Sequence, residues 1–292
     1  MSKRRKSPQT APKRQKVRDI FVARPFEGLA DEPQWIALRE LVPAASAPLR
    51  LKAEFVDEYG DRPITLSTVL PMAWPAMTRQ DGRVFIGLQR HVQSGDVSRD
   101  LAVAILSALR TKPGDTVAVP ALPGEGPRLQ DLLDDGPLDI TMHDGFEYWL
   151  DAEQAEDASV KASLERANAS IYPTSRLGAA HAAYWCRVAP DKGHVRWVLP
   201  HPEDVALDGL ARLSAAGDLL LGDGTKFAGM FRAHGLLVPV WDIPGEPDAA
   251  DWEAPLADFA KRYADTLAES GPLDATARRA KQGLVGRQLT LR

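Results

Sequence analysis

The sequence predicts an α/β (α+β) chain: two related lobes with mixed or antiparallel sheets, preceded by a disordered basic tail. Three observations carry this expectation. Short apolar runs bounded by Gly and Pro alternate with segments of 3.6-residue periodicity, so strands and helices are interspersed. The runs 183–188 and 194–199 are joined by Ala189-Pro190-Asp191-Lys192-Gly193, a hairpin signal that requires antiparallel pairing. The halves also share an outline. WIALRELVPAA leads through strands to VLPMAWPA and a helix opening at Ser98, while DGLARLSAAG leads to LLVPVWDIPG and a helix opening at Asp251, as a duplicated module would.

In chain order, residues 1–18 hold charges, Ser, Pro, Gln and Thr with almost no apolar bulk, and cannot offset the entropy of ordering. Asp31 followed by Pro33 predicts a helix start, with Trp35, Leu38 and Leu41 on one face. Alternation predicts strands over 49–55 and 64–70, and the apolar run 84–88 a third. Ser98 is placed as the cap of a helix carrying Leu101, Ile105 and Leu109, which Pro113-Gly114 ends. Residues 117–126, rich in Pro and Gly, read as loop, 129–133 as a short helix, and 138–142 and 146–150 as short strands. The small, acidic stretch 151–157 is the expected boundary between an N-terminal lobe (19–157) and a C-terminal lobe (158–274). Beyond it come a helix through Val160 and Leu164, the hairpin, a helix opened by Pro202, and a long helix over 251–269.

The stretch 219–244 reads as turn, helix, turn and strand. Gly222-Asp223-Gly224 forms the first turn and Thr225 the cap. Lys226–Ala233 is predicted helical because Phe227, Met230 and Phe231 recur at spacings of 3 and 4. His234-Gly235 would end that helix. Leu236–Trp241 is a buried strand, in which Pro239 calls for an edge position or a bulge.

Charge is segregated along the chain. Lys3, Arg4, Arg5, Lys6, Lys13, Arg14, Lys16 and Arg18 give residues 1–18 a charge of +8 with no acid; residues 275–292 carry +5; the intervening body holds 23 basic and 40 acidic residues, or −17. The basic tail therefore either binds a polyanion, solubilises the chain, or folds back on the acidic body. The C-terminal segment 275–292 is read as a second disordered basic end. One cysteine, Cys186, excludes an intrachain disulfide and a cysteine-built zinc site, and no apolar run is long enough to span a bilayer. A cytoplasmic location is the resulting expectation.

No motif supplies chemistry. Gly222-Asp223-Gly224-Thr225-Lys226 lacks the GxxxxGK[ST] spacing, and Asp223 would repel phosphate. His143-Asp144 with Glu147, and His201 with Glu203 and Asp204, lack the spacing that aims ligands at one metal ion. Cys186 alternates with Tyr184 and Val188 as a core residue does, and no GxSxG elbow exists. Tyr184, Trp185 and Trp197, with Arg187, His194 and Arg196, could stack bases, but period-2 aromatics in a hairpin fit core packing better.

The segments RPFEGLADEPQWIALRELVPAA (24–45), TLSTVLPMAWPA (65–76), GPRLQDLL (126–133), ASLERANASIYPTSRL (162–177), AAYWCRV (182–188), VRWVLPHPED (195–204) and LGDGTKFAGMFRAHGLLVPVWDIP (221–244) resemble an actinobacterial family of unknown function. Members are sometimes mislabelled translocase-like or topoisomerase-like. The resemblance covers roughly residues 20–292 and implies no activity, cofactor or catalytic residue. Some members of that family carry a cysteine-rich zinc motif ahead of the body. Here the basic tail stands in its place and zinc does not carry over.

The expectation is thus a binding or adaptor protein rather than an enzyme, with no cofactor and no membrane contact. Its tail would contact RNA or the ribosome and its acidic body a protein partner. The alternative is a small-molecule or enzymatic site in the cleft between lobes, with Asp223, Lys226, Arg232 and His234 as its residues.

Overall fold

The computed structural model describes residues 18–150, 157–269 and 271–286. Seven of the eight tail cations, Lys3 to Lys16, lie outside these residues, as do 151–156 of the expected lobe boundary. The described chain is α+β and is built on two five-stranded sheets.

The first sheet has the order β3-β4-β2-β1-β5, formed by β1 (Ala45–Leu49), β2 (Ile64–Val69), β3 (Ala76–Thr78), β4 (Val84–Gln89) and β5 (Thr141–Met142). It is mixed: β2 and β4 run parallel and the other neighbours antiparallel. Strict alternation assigns its faces. Ala45, Ala47, Ile64, Leu66, Val84, Ile86 and Leu88 turn to a core completed by α1 (Glu32–Glu40) and α3 (Val97–Arg110). Phe85 points the other way, into a smaller cluster with Phe146 and Trp149, against which Leu164 of α5 (Ala158–Asn168) packs.

The second sheet, β6-β7-β8-β10-β9, is wholly antiparallel: β6 (Thr174–Leu177), β7 (Ala183–Ala189), β8 (Lys192–Trp197), β9 (Lys226–Ala233) and β10 (Leu236–Pro244). On one face Trp185, Trp197, Leu237, Trp241 and Ile243 pack with α6 (Glu203–Ala216) and α7 (Glu253–Ala268). On the other face Tyr184, Phe231, Val238 and Val240 join the same core as the first sheet. Helix α1 is held from both sides, which is why Glu32–Leu38 are all buried in so short a helix.

Several expectations are corrected. Lys226–Ala233 is strand β9, not a helix; Thr225 does not cap, its hydroxyl donating to the Gly222 carbonyl at 2.7 Å. His234-Gly235 (φ 48° and 89°) is the tight turn of the β9–β10 hairpin. The misleading spacing has a cause. The β9–β10 register slips between Val240 and Trp241, which pair with Gly229 and Phe227, leaving Ala228 as an extra residue. That bulge shifts the phase of β9, so Phe227 and Met230 share a face three residues apart while Phe231 faces the opposite core. Pro239 is not at an edge, since β10 lies between β8 and β9; it is tolerated because the β8 ladder ends at the Val240–Arg196 pair, beside the bulge.

The strand expected over 49–55 stops at Leu49, and Ala53–Tyr59 form α2. Residues 146–150 contain a 3-10 turn rather than a strand, and only Thr141–Met142 of 138–142 pair. Helix α3 is capped by Asp96, which accepts from the Arg99 amide at 3.3 Å; the Ser98 hydroxyl instead donates to Gln130 and accepts from the Leu129 amide, at the start of α4 (Leu129–Leu132). Asp31 precedes α1 as expected, but its side chain does not cap. The expectation of a disordered C-terminal end is corrected where the chain is described: Ala275–Val285 form α8, which buries Leu284 and pairs Lys281 with Asp208 of α6 at 2.6 Å.

Candidate functional site

The first region of interest is where the basic tail leaves the body. Residues 19–22 are clipped to the loop preceding α3. The Gly95 amide donates to Asp19 Oδ1 at 2.7 Å, and the Val22 amide donates to the Gly95 carbonyl at 2.8 Å. A side chain at position 95 would lie 2.7 Å from the Ile20 carbonyl oxygen and 2.8 Å from Phe21 Cα, so this approach requires glycine. Just beyond, the Arg128 guanidinium and the Gln130 amide both donate to the Pro25 carbonyl. The clip fixes Arg18 at the rim of a groove of about 930 Å³ that Arg99, Arg128 and Leu122 also line.

Two properties of this rim matter. Phe21 is 81% exposed, and Ile20 and Val92 are exposed as well. The groove is not itself basic: Arg18, Arg99 and Arg128 face Asp19, Asp96 and Glu125, with Arg128 held 3.1 Å from Asp96. Any attraction for a polyanion here must come from residues 1–17.

The residues expected in an inter-lobe cleft are dispersed along β9. Asp223 is exposed in the preceding turn and Lys226 is exposed at the start of the strand. Arg232, six residues and roughly 20 Å further on, is committed to Glu203 through a bidentate contact at 2.5 and 2.7 Å. His234 is part-buried in the hairpin turn against α1: its Nε2 lies 2.8 Å from Glu40 Oε1 and 3.0 Å from Arg39 Nε. With its proton on Nε2 the ring donates to Glu40, and Arg39 pairs with Glu40 directly at 3.3 Å. The four residues do not form one site.

Lys226 does belong to a cluster that sequence reasoning missed. On the inner face of the second sheet it meets Lys192, His194 and Arg196 of β8 across Asp242 of β10, around an open cavity of about 580 Å³ lined on one side by the end of α1. The legible signal was the alternation in Lys192-Gly193-His194-Val195-Arg196, which puts three basic side chains on one face. Burial, reinforced by the neighbouring Arg196, pushes the His194 imidazole below its ordinary value, with Asp242 opposing. The hairpin aromatics are core residues, with Tyr184, Trp185 and Trp197 all buried. Among the described residues no group of three or more His, Cys, Asp or Glu could hold a metal ion, and no helix is long and apolar enough to cross a membrane.

Fold and surface thus define an α+β protein with a cationic pocket between α1 and its second sheet and a clipped, basic N-terminal arm. Residues 25–292 match the model of a family described as a family of unknown function (DUF5926), and the chain belongs to it. No curated protein and no solved structure gives a significant match.

Proposed function

We propose that this is a binding or adaptor protein rather than an enzyme, anchored to RNA or to the ribosome by its N-terminal tail. One observation carries the reading: eight cations without a single acid precede a clip that delivers them at one fixed point of an acidic body. Opposite signs on tail and body suit an adaptor. The tail neutralises phosphates, while the −17 body is repelled from the same polyanion and stays available to a protein partner. Phe21, exposed three residues after Arg18, offers an unpaired base a stacking face. A cytoplasmic place is part of the same proposal.

Co-sedimentation with ribosomes tests it. The full-length protein should pellet at low salt and be released at high salt, since each neutralised phosphate contributes roughly 0.7–0.9 to the slope of log affinity against log salt. A chain beginning at Arg18 should stay in the supernatant. Equal pelleting of both chains, or of neither, would overturn the reading.

A further inference from the structure

We infer that the cavity between α1 and the second sheet is a binding site for a small phosphorylated ligand with a planar ring, of the nucleoside monophosphate class. The strand register builds it. His194 and Lys226 both stand opposite Asp242, one on each side of β10, and Arg196 stands opposite Val240. Side chains two residues apart on a strand share a face about 7 Å apart, and neighbouring strands are about 4.8 Å apart. Lys192, His194, Arg196 and Lys226 are thereby gathered on one wall of the 580 Å³ cavity, a volume within the usual range for small-molecule sites, about 300–1,000 Å³.

Three features distinguish this cluster from an ordinary solvated charged face. First, its cations are incompletely matched. Among the described residues neither Arg196 nor Lys226 has a carboxylate within 4.0 Å, and Lys192 reaches Asp242 only at 3.4 Å. Glu40, the other acid lining the cavity, is already engaged with Arg39 and His234. Second, the buried His194 Nδ1 has an ion-pair contact with Asp242 Oδ1 at 3.0 Å but no well-aligned hydrogen bond to it, and Lys192 reaches the same carboxylate. Third, the remaining lining is apolar and aromatic. Leu41, Phe231 and Val240 form part of it, and Tyr172 holds the Arg196 guanidinium over its ring at 5.9 Å.

A phosphate monoester carries close to two charges and several acceptor oxygens. Arg196, Lys226 and Lys192 match that demand, which exceeds what a lone carboxylate presents. Tyr172 and the apolar lining suit a ring attached to it. No bond is made or broken in this step; the site binds. The inference rests on the pocket alone and is independent of the tail.

Isothermal titration calorimetry on the full-length protein, with adenosine monophosphate, inorganic phosphate and adenosine as separate probes, tests it. The monophosphate should bind, and more tightly than either fragment. R196Q and K226Q should each weaken it about tenfold or more, the effect of one lost charge-assisted hydrogen bond, and Y172A should weaken the nucleotide but not inorganic phosphate. Lys226 is exposed near the start of an edge strand, so K226Q keeps the test valid if R196Q is poorly folded. A chain beginning at Arg18 should bind the monophosphate as the full-length protein does, which separates this site from phosphate contacts of the tail. No heat at millimolar monophosphate, equal affinity for adenosine, or unchanged binding by K226Q would overturn the inference.

Discussion

Asp31 and His181 stand 150 positions apart in the chain and meet at 2.6 Å, Oδ1 against Nε2. The other oxygen of the Asp31 carboxylate accepts from the Leu138 amide at 2.9 Å, and the residue is only 3% exposed. A residue at a helix N-cap position has given its side chain to tertiary structure, tying α1 to a loop of the first half and to the approach to β7. Removing a cap alone costs about 1 kcal/mol. D31A should cost more, about 2–4 kcal/mol, because it leaves a buried amide unpaired and breaks a part-buried pair. H181A should cost less than about 1 kcal/mol, the His181 side chain being 51% exposed. Urea unfolding of both single variants and the double variant checks this; strict additivity would show that the two residues are not coupled.

Glu40 predicts an acid limb in stability. Burial alone would raise its carboxyl, but the hydrogen bond and charge of His234 together with Arg39 outweigh burial and hold it below the ordinary glutamate value of 4.5. A carboxyl lowered in the folded state stabilises above its unfolded value and loses that contribution as the pH falls through the folded one. The stability difference between the native protein and E40Q should therefore be present in full at about pH 5, above the unfolded carboxyl value, and is followed downward from there. It should shrink below 4.5. Unfolding curves at stepped pH would show it, and a difference that instead grew on acidification would reverse the sign argued for this pair.

Gly95 separates the anchoring of the arm from the folding of the body. In G95A the new methyl would overlap the Ile20 carbonyl and Phe21 Cα, so the segment 19–22 must detach or the loop must move. Few buried apolar contacts depend on that segment, Ile20 and Phe21 being largely exposed. Global stability should move by less than about 1 kcal/mol while local protection falls. Limited trypsin digestion is expected to cut faster after Arg18, with the unfolding midpoint nearly unchanged. A large loss of global stability would mean that the arm is part of the fold rather than a tether.

These residues also show where the sequence was readable. Alternation placed β2, the apolar runs 84–88 and 236–241 placed β4 and β10, and the hairpin turn placed β7 and β8; β4, β7 and β10 read as apolar runs because both of their faces are buried. Alternation failed at β9, where one extra residue at Ala228 turns a period of 2 into an apparent period of 3. It failed again at residues 49–55, where alternation crosses from β1 into α2. Asp31 and Ser98 were legible as residues of a helix entry but not as tertiary ligands, since a side chain's partner across 150 positions leaves no local trace. The cation cluster had half a signal: the spacing of Lys192, His194 and Arg196 was visible, whereas their meeting with Lys226 depends on strand order, which periodicity does not encode.

Cys186 offers a test of the core assignment of the hairpin. It lies on β7 between Thr174 and His194 in register, is 1% exposed, and burial pushes its thiol up, with Arg196 opposing. A nucleophilic cysteine would show the reverse, a depressed value and access for the reagent. Ellman's reagent should therefore leave the native protein unmodified over minutes at pH 7 and titrate one thiol in denaturing urea. Raising the pH to about 9 should accelerate the native and the unfolded reactions by the same factor, because modification occurs from the open state, where the thiol ionises as a free cysteine does. The native rate divided by the unfolded rate then reports the open population, on the order of 10⁻³ to 10⁻⁶ for a stable domain. Rapid modification at neutral pH would place Cys186 in an open, electropositive site and would restore covalent chemistry as a reading of this fold.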